Sequence, residues 1–144
     1  MSRLYTVEEA NRTLPYVRAI VGEVRERYKS IQDHGQRHRD GDSEARAALK
    51  TEVRVQAERI HACMEELEEI GAELKDYDLG LVDFPAELEG RRILLCWKFD
   101  ENEVHHWHEV RDGYEGRRPV PLDEPAWPGN GTAVRPARPR AGPG

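Results

Sequence analysis

The chain has 144 residues, of which 38% are apolar and 35% charged, and its formal net charge is −6. This length predicts one domain, and the high charge content predicts long solvated helices around a modest core. Because it has no apolar run of about 18 residues and no apolar segment near its N-terminus, the sequence predicts neither a membrane span nor export.

Charge and cysteine usage narrow the expected partners and compartment. Residues 72–118 carry 12 acidic and 7 basic side chains, so the second half of the chain is the more acidic. Contacts to phosphate need a basic face, so this distribution argues against nucleic acid and favours cations as ligands. Cys63 and Cys96 form no CxxC motif, and free thiols without an export signal favour the cytoplasm.

The first helical pattern starts at a capping box. Thr6 and Glu9 have the spacing at which each side chain bonds the backbone N–H of the other. Pro15 removes one N–H and disfavours helical geometry at the preceding residue, so we expect a short first helix and a kink or restart there. Beyond it, an apolar stripe at four-three spacing predicts a helix that ends near residues 32–35 and packs through Val17, Val21, Val24, Tyr28 and Ile31.

The second helix is expected to begin near Ser43, after a polar connector, and to end at Gly71, a favoured helix terminator. Its apolar seam comprises Leu49, Val53, Gln56, Ile60, Cys63, Leu67 and Ile70. Gln56 is the single polar residue in this seam, and we expect it to set the register by pairing across the seam. Two long helices and a short connector predict an antiparallel, coiled-coil-like hairpin over residues 6–71.

After Gly71 the hydrophobic period becomes that of strands. We expect a short strand over residues 73–76, a run from Gly80 that ends at Pro85, a strand over residues 93–99 and its antiparallel partner over residues 104–110. These strands predict a small antiparallel sheet within residues 72–118, packed on the hairpin.

The predicted fold class is therefore α+β, in a single domain over residues 1–122. Residues 123–144 are rich in proline, glycine and arginine and cannot bury enough apolar surface to offset chain entropy. We expect this tail to be disordered.

Several sequence blocks resemble those of a known family. YTVEEANRTLP, KDYDLGLVDFPAELEGR, LCWKF, WHEV and GYEGRRP are together similar to the blocks of a bacterial family of unknown function, domain-of-unknown-function family 2203. The resemblance covers roughly residues 4–122 and implies a helical hairpin followed by a compact region that bears the motifs. The family has no established activity that the resemblance could assign to this chain. The recurrent positions of the family match Lys75, Asp76, Gly80, Asp83, Phe84, Pro85, Trp97, Trp107, His108, Glu109, Gly113, Gly116 and Arg117. His105 and His106 fall outside that pattern.

Strand alternation decides which polar residues of the sheet can act together. In a regular strand His106 and His108 point to one face, whereas Trp107 and Glu109 point to the other. With Asp83 as a third ligand, the two histidines form a candidate site for a divalent transition metal, with an open position for water. Histidine pairs at this spacing are common in strands, so the pattern is not specific.

His108 and Asp83 also have structural interpretations. The His108 ring can simply bond Asp83 or Asp76 within the sheet, an interpretation that we favour over metal ligation. Asp83 can accept backbone N–H groups in a turn.

The remaining candidates are equally open to two interpretations. Glu109 and Arg117 can form an ion pair that holds the GYEGRR loop. Trp97 and Trp107 can be core residues. Alternatively, a ligand pocket can be formed by Asp83, Trp107, His108, Glu109 and Arg117.

Two functional hypotheses remain. In the first, the sheet forms a metal or small-ligand site, with metal-assisted hydrolysis or acid–base catalysis as the chemistry. In the second, the helical hairpin is an interaction module without catalytic activity. The sequence contains no nucleophile elbow, phosphate loop or complete metal motif, so enzymatic activity stays open. Narrow seams and a small sheet predict a homodimer through the helices.

Overall fold

The structure, a computed structural model, describes residues 3–37 and 43–121. Its elements are α1 (Val7–Arg37), α2 (Ser43–Ile70), β1 (Glu73–Asp76), β2 (Leu81–Leu88), β3 (Arg91–Lys98), β4 (His106–Glu109), a 3-10 turn (Tyr114–Gly116) and β5 (Arg118–Pro119). The strands form one antiparallel sheet in the order β1-β2-β3-β4-β5. The predicted α+β class, a helical hairpin with an antiparallel sheet, is confirmed. The predicted disordered tail and most of the polar connector lie outside the described residues.

Helix α1 begins at the predicted capping box and continues through Pro15. The Glu9 N–H donates to Thr6 Oγ1 and the Thr6 N–H donates to Glu9 Oε1, both at 3.0 Å. The expected restart at Pro15 is wrong, because the helix runs through this residue without a break. Pro15 is exposed, while Leu14 and Val17 are buried in the core and hold the two parts of the helix together.

The two helices pack along their predicted stripes, in which every residue is buried or partly buried. Gln56 Oε1 accepts a hydrogen bond from Arg27 of α1 at 2.9 Å, so the pairing across the seam is confirmed. Helix α2 ends at Gly71, whose φ is +97° and whose N–H donates to the carbonyls of Leu67 and Glu68. This is the left-handed cap that glycine favours. None of the described helices is long and apolar enough to cross a membrane.

The register of the sheet gives its two faces different compositions. Directly opposed residues in antiparallel strands point to the same face. The face toward the helices is apolar and joins the core through Val82, Phe84, Ile93, Leu95, Trp97 and Trp107. On the other face, which we call the outward face, Asp83 lies opposite Cys96, and Cys96 lies opposite His106. The polar candidates therefore lie mostly on the outward face.

Strand β2 extends beyond Pro85, contrary to the expectation that this residue ends it. Strand β1 pairs with β2 only as far as Asp83, so one side of Pro85 is free of strand pairing. On that side the Tyr5 N–H donates to the Pro85 carbonyl at 2.7 Å. The proline nitrogen points to the same side as its carbonyl, so the ladder to β3 loses no hydrogen bond.

Candidate metal centre

Three side chains that can bind a metal meet on the outward face. Asp83 of β2, Cys96 of β3 and His108 of β4 are 3%, 0% and 3% exposed. One ligand atom from each, a carboxylate oxygen, a sulfur and a ring nitrogen, lies within 4.8 Å of the other two. Metal–ligand bonds of ~2.0–2.3 Å place the ligand atoms of one tetrahedral ion roughly 3.3–3.8 Å apart. The three residues are therefore close enough to form a candidate ligand group for one ion.

The strand register produces this convergence. Asp83 and Cys96 are directly opposed in β2 and β3, so their side chains share a face. His108 lies two residues along β4 from His106, the residue opposed to Cys96, so it points to the same face. From there the imidazole reaches diagonally across β3 to Asp83, and three consecutive strands each contribute one ligand atom.

Two contacts fix the orientation of the His108 ring. Its Nδ1 lies 2.8 Å from the carbonyl oxygen of Glu109. A carbonyl can only accept, so Nδ1 carries a hydrogen and donates it. Its Nε2 lies 3.1 Å from Asp83 Oδ1. In the neutral ring, Nε2 and the carboxylate oxygen both present lone pairs to each other, so a positive centre, either a proton or a metal ion, must lie between them.

The Cys96 thiol is chemically inert unless a metal is bound. Burial and the charge of the neighbouring Asp83 carboxylate raise the pKa of this thiol to about 12. At neutral pH the sulfur keeps its proton, although coordination to a metal ion removes it. A fully buried, protonated thiol is unsuited to nucleophilic attack, whereas cysteine sulfur is a common zinc ligand.

His106, one of the predicted ligands, is not part of this group. It lies directly opposite Cys96, but its Nδ1 faces Glu101 Oε2 at 3.7 Å, and its ring packs on that of His105 with centroids 4.6 Å apart. Burial and the positive charge of Arg117 lower the pKa of His106. Cys96 thus occupies the position in the ligand group that was predicted for His106.

The expected ion pair between Glu109 and Arg117 is wrong. Arg91 donates to both carboxylate oxygens of Glu109, at 3.1 and 2.7 Å. Arg117 instead donates to the two carboxylate oxygens of Glu101, at 2.8 and 2.9 Å. The physical reason is strand alternation: Glu109 lies opposite Ile93, on the helix-facing side, whereas Arg117 returns to the outward face.

The loop after β4 closes over the outward face beside the three ligands. Arg117 donates to the Cys96 carbonyl at 3.3 Å, and Lys98 donates to the Tyr114 hydroxyl at 3.2 Å. Burial by itself would raise the pKa of Glu101, but hydrogen bonds from Arg117 and from the Lys98 N–H lower it below the usual value. A second polar layer therefore separates the ligand group from solvent on this side.

A cleft of about 850 Å³ reaches the ligand group from another side. The N-terminal segment at Arg3 and Tyr5, the end of α2 and strands β1 to β3 form its walls. The Tyr5 hydroxyl donates to the Ile70 carbonyl and ties the N-terminal segment to α2. Asp83 lines the cleft, whereas Cys96 and His108 do not. The cleft therefore borders the ligand group on the side of Asp83.

The predicted ligand-binding residues are thus brought together only in part. Asp83 and His108 are in contact, and Arg117 lies at the edge of their group through the Cys96 carbonyl. Trp107 is buried in the core, and Glu109 pairs with Arg91 away from the group. Cys96 was not predicted as a ligand, although strand alternation puts this residue on the face opposite to the buried Trp97.

No curated protein and no solved structure matches the chain. A family model described as "Uncharacterized conserved protein (DUF2203)" matches residues 3–120, which is most of the chain. The region that it covers includes the hairpin and all three members of the ligand group. The chain therefore belongs to the DUF2203 family.

Proposed function

We propose that the chain binds one divalent transition-metal ion, with zinc as the best fit, through Asp83, Cys96 and His108. The observation that carries the proposal is the convergence of three buried ligand atoms of different chemical types within 4.8 Å. Carboxylate, thiolate and imidazole are the groups by which proteins bind zinc. This donor set replaces the one expected from the sequence.

The orientation of His108 supports the same proposal. Histidine ligands usually donate their second ring nitrogen to a carbonyl or carboxylate, which fixes the tautomer and points the lone pair at the metal. Here Nδ1 donates to the Glu109 carbonyl, and Nε2 points at Asp83. A zinc ion would also balance the charges of the buried carboxylate and thiolate, which are costly without a counter-ion.

The primary role that we propose for the ion is to link β2, β3 and β4. Three protein ligands leave a fourth position on a tetrahedral ion. Because Asp83 lines the cleft, water or a small ligand can reach that position from the cleft side. A bound water with a lowered pKa would then support metal-assisted hydrolysis. The cleft is therefore the place where a substrate would be sought.

Metal analysis of purified, tag-free protein tests the proposal. We expect one equivalent of zinc per chain after loading and dialysis. His108→Ala should abolish binding, and the nearly isosteric Asp83→Asn should weaken it strongly, because the amide brings no negative charge. The wild-type chain failing to retain any divalent metal would rule out the site.

His106→Ala is the matched control, because His106 lies on the same face, two residues from His108, but outside the ligand group. This variant should retain the metal. Loss of metal from His106→Ala with retention in Cys96→Ser would instead support the donor set expected from the sequence.

A second proposal concerns assembly and location. Helix α2 has no buried residue between Ser43 and Arg59. This solvent-exposed surface supports association of two chains through the helices. The two cysteines are buried and unpaired, which supports a reducing compartment, and we propose the cytoplasm. Sedimentation of the wild-type chain at micromolar concentration tests the homodimer.

A further inference from the structure

We infer that two copies of this chain associate through the exposed face of α2, with the two α2 helices antiparallel. The inference rests on the homodimer proposed above and adds to it the surface, the orientation and the register. Its basis is the distribution of charge along one face of the helix.

The surface, which we call the outer stripe, consists of exposed residues only: Lys50, Arg54, Ala57, Glu58, His61, Ala62, Glu65, Glu68 and Glu69. These residues recur at helical spacing on the side of α2 opposite to the buried Ile60, Cys63 and Leu67. A shallow groove runs along the stripe between Arg54 and Glu65. Helix α1 packs on the other side of α2, so it does not cover the stripe.

The outer stripe is positive at one end and negative at the other. Its N-terminal part carries Lys50 and Arg54, and its C-terminal part carries Glu65, Glu68 and Glu69. The last turn of α2 contains no basic residue. The acids at the C-terminal end are unfavourable for the helix dipole, which favours bases in the last turn, whereas Glu44 in the first turn is favourable.

A second copy laid antiparallel on the stripe makes the same arrangement favourable. The basic part of each helix then lies over the acidic part of the other. A two-fold interface is self-complementary, so every such contact is made twice. Charge complementarity therefore selects a second copy of this chain, in the antiparallel orientation, as the partner that fits.

The sequence also gives the register. Arg54 and Glu65 are equally far from the mid-point between Arg59 and Ile60, and so are Glu58 and His61. A two-fold axis at this mid-point brings Arg54 of one copy to Glu65 of the other, and His61 close to Glu58.

Charge exchange between two variants tests this register. Arg54→Glu and Glu65→Arg each place like charges opposite one another at two points of the two-fold interface. In sedimentation velocity each variant alone should dissociate at least tenfold more readily than the wild-type dimer. An equimolar mixture should form a heterodimer, because the introduced acid at position 54 of one variant then meets the introduced base at position 65 of the other. The chain carrying both substitutions should dimerise like the wild type.

Arg59→Glu is the matched control: Arg59 is an exposed residue of α2 outside the stripe, and its reversal changes net charge by the same amount as Arg54→Glu. It should leave dimerisation unchanged. A wild-type chain that is monomeric at all concentrations would overturn the homodimer itself. A wild-type dimer that both single variants retain, or a mixture that stays monomeric, would overturn this surface while leaving the homodimer intact.

Discussion

Asp83 is the residue on which the outward face depends, because it touches both of the other candidate ligands. Its carboxylate faces the His108 ring at 3.1 Å and raises the pKa of the Cys96 thiol. A buried carboxylate is costly without a positive partner. A bound cation therefore stabilises the ligand group most, and a metal ion must compete with protons for the ligand atoms.

The first prediction concerns this competition. The pKa of the Cys96 thiol is raised to about 12, so at neutral pH the metal must displace the thiol proton. Release of the thiol proton contributes a factor of about ten per pH unit to the apparent zinc affinity through the neutral range, in addition to any release of the proton between Asp83 and His108. Calorimetric titrations at several pH values measure this slope. Cys96→Ser should bind more weakly, and its slope should be shallower by that factor of about ten per pH unit; an unchanged slope in that variant would mean that the sulfur is not a ligand.

The second prediction concerns the pair of Glu101 and Arg117, whose side chains are 14% and 10% exposed. The pKa of Glu101 is lowered in the folded chain, so its stabilising effect is present above the unfolded value of ~4.3 and is lost as pH falls through the folded value. Glu101→Gln should cost about 3 kcal/mol of unfolding free energy at pH 7, because it leaves the largely covered guanidinium of Arg117 without its charged partner.

Urea unfolding at pH 7 and near pH 3 measures this difference, which should shrink in acid as the wild-type Glu101 becomes protonated. Glu103→Gln is the control, since Glu103 is exposed in the same loop and should have little effect at either pH. An equal loss of stability at both pH values would show that Glu101 acts through packing rather than through its charge.

At the scale of elements, the hairpin is held by an apolar seam that becomes fully buried only toward the end of α2. Ile60, Cys63 and Leu67 are the buried residues of this helix. Ile60→Asp should reduce the free energy of unfolding by at least about 3 kcal/mol, since an unpaired charge would enter the core. Val55→Asp, an equally polar change at a 43% exposed site on the same helix, should alter it by less than about 1 kcal/mol. Wild-type-like melting of Ile60→Asp would contradict the packing.

Substitution of two glycines in turns of the sheet distinguishes the cost of backbone strain from the cost of steric contact. Both have positive φ, +64° at Gly80 and +82° at Gly90. A Cβ at Gly80 would lie 2.6 Å from Phe99 Cβ, whereas a Cβ at Gly90 meets nothing within 4 Å. Gly90→Ala should cost about 1 kcal/mol from the left-handed backbone, and Gly80→Ala about 2 kcal/mol more from the contact. Equal melting temperatures for the two variants would mean that this approach of the turn to Phe99 is absent.

For the whole molecule, local sequence patterns were sufficient to predict the hairpin, the period-two strands and the caps. They failed at Pro85, and at Pro15 for the expected restart, because each rule considers only neighbours in the chain. Buried residues on both sides of Pro15 keep α1 continuous. Strand β1 ends before it reaches Pro85, so no neighbouring strand needs a hydrogen bond from the proline nitrogen. In both places tertiary structure outweighs a local preference.

The candidate site was predicted only in part, for a related reason. Strand alternation shows that His106 and His108 share a face, but not which residues of β2 and β3 stand beside them. That depends on a register across three strands, which loop sequences alone do not specify. The same limit explains why the partner of Arg117 was not predicted. Arg117 pairs with Glu101, which lies in a loop on the outward face, and not with Glu109.

The central claim is that one metal ion binds simultaneously to β2, β3 and β4, and cobalt is its most direct probe. Co²⁺ adopts zinc sites, and its absorption spectrum reports both tetrahedral geometry and bonding to sulfur. Titration of the metal-free chain should give intense visible bands and a sulfur-to-cobalt charge-transfer band that saturate at one equivalent. Cys96→Ser should lose the charge-transfer band, and His106→Ala should keep both features. A spectrum like that of aqueous cobalt at every ratio, or a charge-transfer band that survives in Cys96→Ser, would contradict the claim.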